Sequence, residues 1–519
     1  MLTYDMDARG DDTRYGYLYR CIKDDIVCSR IVAGSRLPPK RKLAEHLGVG
    51  VVTVESAYRQ LVAEGYVEAR ERSGFYAIDL GGSVELGRAF PRGVADAQRP
   101  TRQASTSPVG VCVSKNPKGH TVDMTGAHVA SGIFPYVQWA RTLRTVLTDE
   151  SEESLVEATG PAGCLRLREA IAAYLRGFRG MDVSASQIVI GAGAQVLYGL
   201  IVQLLGRNAG YAIENPGYPR LAKIYQGNDV TLDYLKMDDA GVSTSELEKS
   251  CASVLHIMPA HQFPTGRVYP VSRRYELLAW ASERSDRWIV EDDFDCEFRL
   301  AGRPIPSLQS IDAQGCVIYT NTFTKSLGPA YRLGYMVLPL ALAKLFHEEL
   351  GFYSCTVGTL DQLTLARFIE SGEYERHVSK LRTHYRRTRD ALFEALRTSG
   401  LPTLEDFAIE GADAGLHFVI SFRDRRNEAE LVALAEAEGV ALNPMSGYYL
   451  PEGAVPEGFV SEGIASERAV PERAVPEGVA GLSGSGRCDA PVRRFVAVFG
   501  GIQPSAASAA VAALERAWL

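Results

Sequence analysis

Apolar positions along this chain change their period three times. Between residues 13 and 78 they recur at helical spacing, with Gly48 breaking the run between 42–47 and 52–61, and then pass into a short extended segment. That pattern predicts a helix, a turn, a second helix and a two-stranded wing. Over 79–121 the composition shifts to Gly, Ser, Pro, Arg, Gln and Ala without an apolar period, which predicts a flexible linker. From 122 to 519 short apolar runs at 187–190, 210–213, 253–258, 288–290 and 316–319 alternate with helix-length segments. Alternation of that kind predicts an α/β class domain built on a doubly wound, mostly parallel sheet. Helical patterns over 342–374 and 377–397 lead into a smaller α+β C-terminal portion with strands near 416–422 and 494–498. Within 451–487 the tetrapeptide Ala-Val-Pro-Glu recurs at 454, 469 and 474, and this stretch reads as a low-complexity insertion.

Length, charge and cysteine usage narrow the class. A chain of 519 residues is too long for one core, so at least two domains are expected. The net charge of −7 excludes a general polycation, yet residues 14–72 hold eleven Lys/Arg against seven Asp/Glu. A nucleic-acid surface, if present, belongs there. Nine scattered cysteines without a Cys-x-x-Cys pair fit reduced thiols, neither a disulfide framework nor a zinc cage. The acidic N-terminus resembles no targeting signal, and no apolar run is long enough to span a bilayer. The expected location is the cytoplasm, with no membrane partner.

The strongest chemical signal is Tyr319-Thr-Asn-Thr-Phe-Thr-Lys-Ser-Leu-Gly-Pro-Ala-Tyr-Arg-Leu-Gly-Tyr335. A lysine amine at Lys325 can condense with the aldehyde of pyridoxal 5′-phosphate (PLP). Hydroxyls of Thr322 and Thr324 can reach its phosphate, and Arg332 supplies a fixed cationic fork. Further stretches resemble fold-type I aminotransferases in the expected order. By that resemblance, backbone N–H groups of Ala194 and Gln195 in Ile188-Val-Ile-Gly-Ala-Gly-Ala-Gln195 would cradle the phosphate, and Tyr218 of Glu214-Asn-Pro-Gly-Tyr-Pro219 would stack on the ring. Asp292, or failing it Asp293, would pair with the pyridine nitrogen. Arg494, or failing it Arg493, would take a ligand carboxylate. Phe263, Phe294 and Ala158 depart from the enzyme pattern, replacing residues that hydrogen-bond the cofactor ring or its phosphate.

At the N-terminal end, residues 36–67 resemble the winged helix-turn-helix of GntR-type regulators. Lys40, Arg41 and Lys42 open the first helix and offer phosphate contacts. The second helix, from about Val51, would enter the major groove with Thr53 as its polar base reader. Arg72 and Gly74 belong to the wing. Gly50-Val51 stands where many such regulators carry Ser-Arg.

The winged helix, linker and aminotransferase-like domain in this order resemble the MocR subfamily of GntR-type regulators. That resemblance implies a head-to-tail homodimer, double-stranded DNA with paired half-sites, and PLP or its adduct with an amine or amino acid as effector. A working aminotransferase with an accessory DNA-binding domain is the second reading. A regulator whose PLP site survives only as a dimerisation scaffold is the third.

Overall fold

The computed structural model describes residues 2–4, 6, 13–27, 30–32, 34–63, 67–70, 74–77, 122–126, 132–300, 306–411, 415–450 and 490–519. The linker expected at 79–121, the insertion at 451–487 and Arg72 lie outside the described residues.

The N-terminal unit is α1 (Arg14–Val27), α2 (Lys40–Leu47), α3 (Val51–Ala63) and a hairpin of β1 (Val67–Arg70) with β2 (Gly74–Ala77). Gly48 ends α2 in the left-handed region at φ 62, a conformation that costs a glycine no Cβ clash, and its N–H returns to Ala44 and Glu45. The turn throws α3 across α2. Leu18 and Ile22 of α1, Leu43 of α2 and Val54, Tyr58 and Leu61 of α3 close one small core.

The large unit is built on an eight-stranded sheet. Its strands are β3 (Ile188–Gly191), β4 (Tyr211–Asn215), β5 (Leu232–Asp238), β6 (Gly241–Val242), β7 (Val254–Ile257), β8 (Trp288–Asp292), β9 (Val317–Thr322) and β10 (Gly334–Val337). Their order across the sheet is β3-β10-β9-β8-β7-β4-β5-β6. The pairings β9–β8, β8–β7, β7–β4 and β4–β5 are parallel, whereas β10 and β6 run antiparallel to their neighbours. Every residue of β3, β7 and β8 is buried, as strands covered on both faces require. The two faces are told apart by alternation: Ile188, Ile190, Tyr335 and Val337 pack on one side with the helix α4 (Leu165–Arg179), and Val189 and Met336 on the other with α5 (Ala194–Leu205).

Three strands of this sheet, β5, the two-residue β6 and β10, went unread in the sequence. β5 is half-exposed and polar at alternate positions, and β10 sits inside the motif around Lys325, where loop chemistry masked its apolar run. The helical pattern over 342–374 is in fact two helices, Leu340–Glu349 and Thr359–Glu370, parted by a turn, and the next helix, α7 (Glu373–Thr398), begins four residues before its expected start at 377. A smaller sheet follows, ordered β11 (Ala408–Glu410), β12 (His417–Arg423), β14 (Val492–Val498) and β13 (Asn443–Pro444), covered by α8 (Ala507–Trp518). The described cysteines are all free thiols, and no helix among the described residues is long and apolar enough to cross a membrane.

Candidate cofactor and effector site

Residues expected at the site come from the C-terminal ends of the parallel strands, where an open α/β sheet binds its ligands. Register brings the ends of β9 and β3 together on either side of the start of antiparallel β10: Thr322 pairs with Gly334, and Gly334 with Gly191. Chain flow from Gly191 turns through Gly193, at φ 83, into the first turn of α5, which contains Ala194 and Gln195. Arg332, itself at φ 49, lays its Nη2 3.2 Å from the Ala192 carbonyl and 3.4 Å from Gln195 Oε1. A Cβ at Gly193 would lie 2.9 Å from that nitrogen, so only glycine admits the guanidinium so close. Backbone N–H groups at a helix N-terminus and an exposed arginine thus converge on one spot, an anion cradle. Thr322 ends β9 and Thr324 opens the short helix α6 (Thr324–Leu327), both beside this spot and both half-buried.

Lys325 lies in α6 and is half-buried. Desolvation by the surrounding protein lowers its pKa below 10.5, against the opposing pull of Asp295. More of its amine is therefore neutral and nucleophilic than in a solvated lysine. The residue after it is held firmly: Ser326 Oγ meets Tyr374 Oη at 3.1 Å, and the His377 ring meets the Ser326 carbonyl at 2.6 Å, both from α7.

Asp292 and Asp293 part company in the structure. Asp293 forms a buried ion pair with Arg179 of α4 and accepts from Tyr319 Oη at 2.9 Å, so its carboxylate is committed to the scaffold. Asp292, at the end of β8, accepts from Tyr198 Oη at 2.5 Å and lies 3.8 Å from His256 Nε2. His256 is oriented in turn by Tyr225 Oη, 2.7 Å from Nδ1. Sequence reading missed Tyr198, His256, Tyr225 and Arg179; they hold the acid through tertiary contacts and carry no motif of their own. Tyr218, half-buried, packs edge-on to Phe263 with ring centroids 5.8 Å apart, and the nearby Asp292 charge helps to raise its pKa after burial itself.

The two arginines of β14 also separate. Arg493 donates from Nε to the Asp424 carbonyl at 3.3 Å. Arg494 shares by alternation the face of Val496 and Val498, which pack with Tyr448 and Phe263, and its buried Nε has no hydrogen-bond partner. Across that face the His417 ring lies tilted against that of His261 with centroids 4.3 Å apart, and His261 Nδ1 lies 2.9 Å from Asp295 Oδ2. The Nε2 atoms of both imidazoles are buried without partners. Gly415, at φ 65, seals this cluster: a Cβ there would fall 2.0 Å from the His261 ring. Phe263 and Phe294 meet edge to face with each other, so no hydroxyl stands at either position.

His377 carries a pH consequence. Burial lowers its pKa to about 4, partly opposed by its bond to Ser326. Its contribution to stability is complete above the unfolded value near 6.5 and is lost as the pH falls from there through about 4. The loss should approach about 3 kcal/mol, and a His377→Asn variant, whose amide can still donate to Ser326, should lack that segment of the stability–pH curve in denaturant titrations.

At the N-terminal unit the basic residues expected on DNA behave differently from one another. Lys40 Nζ is 3.0 Å from Glu55 and sits over the Phe75 ring, so it belongs to the fold's own packing. Arg41 and Lys42 are exposed, and Thr53 is half-buried in the first turn of α3. Gly74, at φ 115, gives room to the Arg36 guanidinium, since a Cβ would meet its Nε at 3.1 Å.

Comparison with known proteins agrees with both halves. Residues 14–77 match the family of bacterial regulatory proteins, gntR family, and residues 130–457 match aminotransferase class I and II. The chain is 35% identical to the uncharacterized HTH-type transcriptional regulator YdeL of Bacillus subtilis, over 84% of this chain and 89% of that one. It is 32% identical to the probable rhizopine catabolism regulatory protein MocR of Rhizobium meliloti, over 86% and 89% of the two chains. It is 30% identical to the HTH-type pyridoxine biosynthesis transcriptional regulator PdxR of Corynebacterium glutamicum, over 82% and 86%. The fold of the large unit is shared with a multiple substrate aminotransferase from Thermococcus profundus, at a TM-score of 0.61 and 21% identity over 77% of this chain and 92% of that one. With a GntR helix-turn-helix ahead of an aminotransferase-like domain and relatives of this kind along most of its length, the chain belongs to the MocR subfamily of GntR-type transcriptional regulators.

Proposed function

We propose that this regulator binds PLP covalently through Lys325 and that PLP, alone or joined to an amine or amino acid, sets its affinity for operator DNA. The observation that carries the reading is the anion cradle of Gly193–Gln195 and Arg332 beside a desolvated lysine and a buried, oriented Asp292. The residues fit the cofactor: the cradle would hold the phosphate with help from Thr322 and Thr324, Tyr218 would face the ring, and Asp292 would meet the pyridine nitrogen. When bound, PLP supplies an aldehyde for amines and a ring that withdraws electrons. Asp292 keeps a proton at the ring nitrogen, and Tyr198 with His256 keeps Asp292 in place. The orphaned Nε of Arg494 offers a site for an effector carboxylate. Hydroxyl-free Phe263 and Phe294 favour sensing over rapid turnover.

A head-to-tail homodimer on paired half-sites belongs to the same proposal. Its support is a set of exposed apolar side chains, Tyr136, Val137, Val156 and Phe352, and a cleft of about 360 Å³ lined by Ala158, Gly163, Arg168 and Thr359. Similarity to PdxR, a pyridoxine biosynthesis regulator, makes vitamin B6 genes one candidate target, with amino-acid metabolism genes as another.

Communication between cofactor and DNA needs an element touching both. α7 meets that need: Tyr374 and His377 grip Ser326, and Glu375 in the same turn forms an ion pair with Lys23 of α1. Lys23→Glu should therefore leave PLP absorbance unchanged while reducing the PLP-dependent shift in operator affinity several-fold, and Glu375→Lys in the same chain should restore it; the pair is partly exposed, so stability should change by less than about 1 kcal/mol.

The test of the proposal is binding of the purified protein to DNA upstream of its own gene, with and without PLP, at one stated salt concentration. Specific binding shifted by PLP is the expected result. Binding indifferent to PLP overturns PLP as effector, and steady transamination of common amino acids without specific DNA binding favours the enzyme.

A further inference from the structure

The outward face of α3 is unusual for a helix that reads bases. Its buried stripe is Val54, Ala57, Tyr58 and Leu61, which fixes the opposite stripe, Val52, Glu55, Ser56 and Arg59, as the one turned away from the core. At the N-terminal end of that face Val51 and Val52 are 42% and 73% exposed. Two adjacent β-branched side chains in water are unfavourable, and nothing in the fold covers them among the described residues. The charges further along are spent on one another, because Glu55 is bridged by Lys40 at 3.0 Å and Arg59 at 3.5 Å. The first turn therefore holds no arginine, asparagine or glutamine able to grip a base edge with two hydrogen bonds, only the hydroxyl of Thr53 and the two valines. Exposed Arg41 and Lys42 at the start of α2 provide the backbone grip.

From this surface we infer that Val51 and Val52 read the C5-methyl groups of thymines in the major groove, so that each half-site carries T·A pairs where α3 enters. The thymine methyl is the one apolar group that the four base pairs of unmodified DNA present there. It matches an exposed isopropyl group in size and in the need to leave water, whereas a G·C pair would leave both valines against polar edges. This inference rests on the DNA-binding reading of α2 and α3 and adds to it the identity of the bases.

The experiment begins with full-length protein and a randomised duplex library. Enriched half-sites are then resynthesised with deoxyuridine for each thymine in turn, which deletes only the methyl. Expected are conserved T·A pairs in each half-site and an affinity loss of about fourfold for each contacted methyl removed. Val52→Ser, a surface change that spares the core, should weaken binding to thymine DNA and shrink the uracil penalty at the thymine that Val52 contacts, while the penalty at the thymine read by Val51 persists. Enriched sites that tolerate uracil throughout, or that place G·C pairs at the most protected positions, overturn the methyl-reading inference while leaving DNA recognition standing. Failure to enrich any sequence overturns both.

Discussion

Lys325→Ala is expected to strip the purified protein of its visible PLP absorbance while leaving it folded. The amine is the only covalent anchor the site offers, and the contacts that remain, an exposed Arg332 and the N–H groups of α5, hold a phosphate reversibly. After dialysis the band should fall to baseline. Stability should hardly move, because the lysine sits in a desolvated position where its charge is disfavoured and no ion pair is lost with it. Operator binding should persist and become insensitive to PLP. Retention of the band in the alanine variant would remove Lys325 from the site, and loss of folding would make it structural.

A larger effect on stability is expected at a residue remote from any motif. Arg179→Ala leaves the Asp293 carboxylate buried with a single hydroxyl, that of Tyr319, in place of its guanidinium. Stranding one half of a buried ion pair typically costs about 3–5 kcal/mol, a large part of the about 5–15 kcal/mol by which domains are stable. Arg179→Ala combined with Asp293→Asn should recover much of the loss, since the uncompensated charge goes with it. Because Asp293 adjoins Asp292, the single variant should also weaken PLP binding, and the pair of variants should restore both together. Chemical unfolding of the large unit followed by fluorescence measures the first, PLP titration the second. A single variant within 1 kcal/mol of the parent would show that the pair is solvated in solution.

How far the sequence carried the reading varies with the type of interaction. The helix-turn-helix was legible because Gly48 and the two apolar stripes are local, and a turn at φ 62 leaves few residue choices. Strands covered on both faces were legible because such burial demands unbroken apolar runs, as in β3, β7 and β8. β10 was not, since it lies inside the Lys325 motif and its pairing with β3 is set by a partner far away in the chain. At the site, Lys325, Arg332 and Asp292 stand in motifs whose spacing reflects strand-end turns. Tyr198, His256 and Arg179 do not.

The sequence by itself therefore determined the order of the domains, the parallel character of the sheet and the identities of the groups in the proposed PLP site. Those properties follow from period, turn residues and short-range spacing, which one strand and its next turn impose locally. Tertiary structure alone decided between neighbours: Asp292 from Asp293, Arg494 from Arg493, and Lys40 from Arg41. Adjacent residues of like chemistry have equal claims in the sequence, and on a strand they point to opposite faces. Which face meets a buried arginine, a backbone carbonyl or open solvent is known only once distant elements have packed.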